Sequence, residues 1–192
     1  MNQAVSTQPR NKIHPHKFTL WVAIGSIVMM FAGLTSAYVV SRKREDWVSF
    51  DLPQALYIST FLILLSSISF TIATRSIKKD NRQLTTIFLF VTLLLGCSFV
   101  YYQIEAYNQL SEAGLFFTGK GSLVSSSLLV VISFAHLIHA LVGIVVLLVI
   151  CYNQLQNKYN SSNSLGMEVG GIFWHFVDIL WICLFLFFYF IR

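Results

Sequence analysis

Five long apolar stretches leave this chain of 192 residues few ways to fold. They cover residues 18–40, 53–74, 84–104, 123–151 and 169–191, and only the last contains an acid, Asp178. Each has the length of about 20 residues that a helix needs to cross the hydrocarbon layer of a bilayer. Lipid supplies no hydrogen-bond partners, so each stretch must satisfy its own backbone, which a helix does. The composition points the same way: 56% of residues are hydrophobic and 11% are charged, against roughly 25% charged in soluble domains. A water-soluble globule could not hide 17 Phe beneath so little polar surface. Most soluble enzymes, disordered tails and nucleic-acid modules are thereby excluded. The expected fold is an all-α integral membrane protein of five transmembrane helices, a single membrane domain at 18–192 behind a polar tail at 1–17.

The tail and first stretch together imitate a signal peptide, but the apolar run exceeds the roughly 7–15 residues of a signal core. It is read as a retained span. Gly33 and Ala37 within it form a small-xxx-small pair, which lets another helix approach closely. The basic residues set the orientation. Eight of them (Arg10, Lys12, Lys17, Arg75, Lys78, Lys79, Arg82 and Lys158) fall on one side, and five (Arg42, Lys43, Arg44, Lys120 and Arg192) on the other. The excess places the N-terminus in the cytoplasm and the C-terminus outside. The connectors are short: 114–122 reads as a glycine-containing turn and 153–165 as a polar surface loop. Cys97, Cys151 and Cys183 are far apart and read as small buried apolar residues. Tyr38, Trp47, Tyr57, Tyr101, Tyr102, Tyr107, Tyr152 and Tyr159 fall near span ends, as an interfacial aromatic belt requires. Phe185, Phe187, Phe188, Tyr189 and Phe190 read as an outward-facing apolar wall.

Ionisable groups at membrane depth are costly and need partners. Those in this chain are Glu105, His136, His139, His175 and Asp178, with Glu168 at a mouth. His136 and His139 stand at i and i+3, and Gly143 continues their face. His175 and Asp178 repeat that spacing in the fifth span between Trp174 and Trp181, and Glu168 lies two turns before His175. Glu105 ends the third span. Three helices thus present polar faces, and the expectation is that these faces meet. Three readings compete. The histidines could hold a haem iron or a metal, as in a small b-type cytochrome using His136, His139 and His175. Carboxylates and imidazoles could form a proton or ion path. The reading preferred here is a structural polar network that sets helix register and orders lipid headgroups, since no complete ligand set is evident.

The fifth span contains Trp174-His175-Phe176-Val177-Asp178, which closely resembles the signature in the last helix of subunit III of the haem–copper oxidases. Glu168 matches the acid that precedes that signature in the family. Ala135-His136-Leu137-Ile138-His139-Ala140-Leu141-Val142-Gly143 is similar to the family's His-x-x-His segment followed by Gly, and Gln103-Ile104-Glu105-Ala106-Tyr107 to the end of its preceding helix. Residues 26–38 resemble the family's first core helix, with one departure. Ile27 stands where many members carry a glutamate linked to proton supply, so that role is not carried over.

The resemblance covers nearly the whole chain from Phe18 onward and matches the short, five-helix bacterial form. It implies a V-shaped bundle in the bacterial cytoplasmic membrane, holding structural phospholipids in its cleft. It also implies an accessory subunit with no active site and no haem or copper of its own. Oxygen reduction and proton pumping then belong to subunit I, the main partner. Subunit II, a small subunit IV and a larger respiratory supercomplex are further implied partners.

Overall fold

The computed structural model describes residues 15–44, 47, 51–115, 124–159 and 164–191. It contains five helices: α1 (Pro15–Ser41), α2 (Gln54–Lys78), α3 (Arg82–Glu112), α4 (Val124–Leu155) and α5 (Leu165–Ile191). All five are long and apolar enough to span a bilayer. The chain is a multi-pass membrane protein. Most of the polar tail at 1–17, the acids Glu45 and Asp46, Lys120 and Arg192 lie outside the described residues.

Helices α2, α3, α4 and α5 form a ring in which each touches the next and the last closes on the first; α1 packs outside it against α4 and α5. The α2–α3 hairpin makes the most extensive contact. Its basis is small side chains. Ser59, Ser66, Ser69 and Ser76 of α2 and Thr85 and Thr92 of α3 are buried, so the two backbones come close, as small residues permit in membranes. The hydroxyls remain satisfied: Ser69 donates across the interface to the Phe88 carbonyl at 3.0 Å, and Ser76 to the Ile72 carbonyl of its own helix at 2.8 Å. The tight turn needs Asp80 in the left-handed region (φ 54°), a conformation Asp tolerates better than most residues. Asn81 then caps α3, its side chain accepting from the Leu84 amide.

Contacts at the ends fix which termini share a surface. At one end of the bundle Arg82 donates to Asn157 at 3.0 Å and Lys17 to Glu168 at 3.2 Å. At the opposite end the Gln109 side chain accepts from the Ala55 amide at 3.3 Å, so α3 caps the start of α2. Tyr38 packs there against Trp47, Phe187 and Phe188.

Several expectations need correction. The loop expected at 153–165 is shorter, because α4 continues through Gln154 to Leu155. Gln154 is buried and donates to Thr86 at 3.5 Å, a tertiary contact that outweighs its loop-like composition. The helix ends at Leu155 and the chain turns away at Asn157, which adopts φ 56°. Tyr38 and Tyr159 belong to the core and not to a surface belt. The aromatic wall divides, with Phe188 buried and Phe190 outside, because neighbouring helix positions point about 100° apart. Cys97 and Cys183 are exposed, and only Cys151 is buried. Of the glycine turn expected at 114–122, Gly114 takes φ 74° just past α3; residues 116–122 lie outside the described residues.

Candidate functional site

Two tryptophans of α5, a heptad apart, fill the centre of the ring. The Trp174 indole lies between Gly96 of α3 and Gly143 of α4. A methyl group added at either glycine would come within 2.9 Å or 3.0 Å of its ring. Its N–H donates to Ser66 of α2 at 3.1 Å. One side chain thus touches all three other helices of the ring. Trp181 repeats the pattern one heptad farther along α5. Its N–H donates to Thr60 of α2 at 3.0 Å, and its ring meets Phe99 of α3 at 5.4 Å and His136 of α4 at 5.0 Å. Burying an aromatic ring while giving its N–H a partner suits tryptophan to this position.

The polar residues divide into separate groups around these rings. Glu168 opens α5 and pairs with Lys17 of α1 at 3.2 Å and Lys78 of α2 at 3.8 Å. Ser164 donates at 3.4 Å to Oε1, the oxygen that faces Lys78. The carboxylate also sits where the N-terminus of α5 favours negative charge. It joins α1 and α2, which otherwise do not touch.

His175 lies farther along the same side of α5. Its Nδ1 bonds the Ser67 hydroxyl at 2.7 Å and stands 4.0 Å from the Asp178 carboxylate; its Nε2 lies 3.5 Å from Thr71. Asp178 is buried at 1% exposure beside Ser67. Glu168 and His175 line one open crevice with Thr74 and Lys78, with a volume of about 370 Å³.

His136 is fully buried, ringed by Phe31, Phe99 and Trp181. His139 bonds the Ala135 carbonyl of its own helix at 2.7 Å and meets Phe31 edge-on. Glu105 stays near the C-terminal end of α3, partly exposed, with Asn108 at 3.5 Å. Among the described residues, then, the structure joins Glu168 to Lys17 and Lys78, and His175 to Ser67, Thr71 and Asp178. It does not join Glu105, His136 or His139 to either group. Nor do any three His, Cys, Asp or Glu among the described residues converge as metal ligands.

Of the three packing residues, Gly143 accommodates Trp174. Gly33 and Ala37 face away from the rest of the chain, and a methyl group on Gly33 would meet nothing within 4 Å. The sequence reading missed Gly96, Ser66 and Thr60. Gly96 was the recoverable one, since a lone glycine inside a span signals close approach. Ser66 and Thr60 carry no such signal, because hydroxyls in a membrane helix usually bond their own backbone.

These features define a class: a polytopic helical membrane protein whose polar groups hold its helices to one another. Comparison narrows the class. The family model for cytochrome c oxidase subunit III matches residues 47–192, and the chain belongs to that family. It is 29% identical over 185 residues to cytochrome c oxidase subunit 3 of Corynebacterium diphtheriae, covering 89% of this chain and 88% of the relative. It is 28% identical over 188 residues to cytochrome bo(3) ubiquinol oxidase subunit 3 of Buchnera aphidicola, covering 95% of each. Cytochrome c oxidase subunit 3 of Drosophila melanogaster is 32% identical over 139 residues, and there the chain spans 51% of the relative, about half its length.

Proposed function

We propose that this chain is the accessory subunit III of an aerobic haem–copper oxidase, a non-catalytic component that stabilises the complex and binds structural phospholipid. Oxygen reduction and proton pumping are carried out by subunit I, its main contact. Subunit II, a small subunit IV and a respiratory supercomplex complete the proposed surroundings. The observation that carries this reading is the near end-to-end match to bacterial subunit 3 chains. Those relatives are named for a cytochrome c oxidase and for a ubiquinol oxidase, so subunit III is compatible with either electron donor. Glu105, His136, His139, Glu168, His175 and Asp178 are assigned structural and lipid-linked roles, with the N-terminus in the cytoplasm. Support for lipid binding comes from an apolar groove of about 610 Å³ between α1, α4 and α5, with Asn153 and Tyr159 at one end. Such a groove accepts an acyl chain by burying apolar surface.

The test is purification of the tagged chain from its native membrane in mild detergent. Reduced-minus-oxidised spectra, oxygen uptake and mass spectrometry of co-purifying chains and lipids are recorded. Haem absorbance that travels with larger partners, and is lost when this chain is separated, is the expected result. Haem or metal retained stoichiometrically by the isolated chain overturns the proposal and makes the histidines ligands.

A further inference from the structure

We infer that the crevice between α2 and α5 binds one anionic phospholipid, with its phosphate on Lys78 and a glycerol ester beside His175. The inference rests on the reading of this chain as a lipid-binding subunit. It adds a second site, apart from the groove between α1, α4 and α5. That groove is apolar along most of its length, whereas the crevice is charged at its mouth. Lys78 and Glu168 stand there, Thr74 lies one turn deeper and His175 two turns deeper, with Phe70, Met167 and Ile172 supplying apolar wall. The two helices run antiparallel, because Ser67 of α2 meets His175 and Thr60 meets Trp181. Glu168 and His175 are seven residues apart, about 10 Å along the helix.

Charge at the mouth selects an anion. Lys17 and Lys78 share one carboxylate, Glu168, so the three groups sum to a positive charge. Lys17 donates to Oε2 at 3.2 Å. Lys78 stands 3.8 Å from Oε1, near enough to pair the charges but too far for a hydrogen bond, and its side chain is 62% exposed. Its ammonium therefore keeps its donors for a phosphate oxygen. Arg75, Lys79 and Arg82 belong to the same stretch of chain and add to the positive field. The deeper crevice selects a phospholipid among anions. Its apolar wall favours a chain-bearing anion over free phosphate. A fatty acid carries no polar atom below its carboxylate, yet the crevice stays polar two turns down. With the Ser67 hydroxyl donating to Nδ1, the imidazole proton of His175 sits on Nε2. The nearest partner of Nε2 is Thr71 at 3.5 Å, the outer limit of a hydrogen bond. An ester carbonyl accepts that proton, and a phospholipid carries its esters below its phosphate in the same order.

The experiment titrates the delipidated full-length protein, with its natural partners, in mild detergent and measures bound lipid by native mass spectrometry. Lipid sites elsewhere on the complex are common to all variants and cancel in the comparison. Phosphatidylglycerol should bind more tightly than phosphatidylethanolamine. Lys78→Gln should weaken phosphatidylglycerol about tenfold or more, through loss of a charge-assisted hydrogen bond. Lys79→Gln removes the same charge from a residue that does not line the crevice and should weaken it by no more than about fivefold. Both lysines are exposed, so neither change disturbs packing. Glycerophosphoglycerol, which is the headgroup without chains, and oleate should compete poorly. Equal losses in the two lysine variants overturn the inference in favour of diffuse surface charge. Competition by glycerophosphoglycerol or oleate as strong as by the lipid overturns it in favour of a free-anion or fatty-acid site. A density map with an acidic side chain of a partner on Lys78 overturns it as well. Binding unchanged in Lys78→Gln sinks this site alone and leaves lipid in the other groove standing, whereas no tightly held lipid in any variant sinks both.

Discussion

Replacing Gly96 by alanine tests whether Trp174 is the central pillar of the ring. The new methyl carbon would sit 2.9 Å from the end of the indole, short of the roughly 3.5–4.0 Å at which carbons pack comfortably. The ring has no easy retreat. Gly143 lies against its other edge, and the N–H is tied to Ser66 at 3.1 Å. Overpacking of this kind costs about 1–3 kcal/mol. In a bilayer the separated helices remain helical, so the usual gain in helix propensity from glycine to alanine contributes little to offset it. Gly33→Ala is the matched control. It makes the same chemical change in a span, at a position where the methyl meets nothing within 4 Å, and should be neutral within about 0.5 kcal/mol. Gly143→Ala should resemble Gly96→Ala. The double variant should fall short of additivity, because both methyl groups press on one ring. The assay is denaturation of the purified chain by SDS in mixed micelles, followed by tryptophan fluorescence. A loss of about 1–3 kcal/mol corresponds to a 5- to 150-fold change in the folding equilibrium. Gly96→Ala and Gly143→Ala curves that superimpose on that of Gly33→Ala would refute the reasoning.

Three further predictions use the same contacts. Trp181→Phe should cost about 0.5–1.5 kcal/mol through the lost bond to Thr60, whereas Trp181→Ala should cost about 3–5 kcal/mol; equal losses in SDS titration would argue against a role for the N–H. Glu168→Gln removes the partner of Lys17 and Lys78. Because all three side chains are partly exposed, the loss in thermal stability should stay below about 1 kcal/mol and fade at about 1 M salt, and a salt-independent loss would contradict this. Asp178→Leu leaves His175 without its in-helix neighbour and should lower the recovery of partner chains in a pull-down, with Asp178→Asn less affected. Recovery equal to the parent would count against an assembly role.

The polar residues show where sequence patterns stop being informative. The i, i+3 spacing of His136 and His139 puts both on one side of α4, yet one faces an aromatic enclosure and the other bonds its own backbone. The same spacing in α5 does bring His175 near Asp178, but the histidine's short bond is to Ser67 of α2. Spacing constrains only residues on one helix. Which residue lies opposite depends on the rotation and neighbours of each helix, and in this chain neighbours in sequence are not always neighbours in space. Helix α1 leads directly to α2 along the chain yet packs on α4 and α5.

Read alone, the sequence determined the number of spans, their helical state and the class of protein. Those follow from segment length and hydrophobicity, and lipid leaves the backbone no other choice. Only the tertiary structure decided the ring of four helices with α1 outside it, the two tryptophans at its centre, and the division of the polar residues into separate groups. The physical reason is that lipid is as apolar as the helices. Burial therefore cannot select partners, and side-chain fit must: a glycine opposite an indole, a serine opposite an N–H, a glutamate between two lysines.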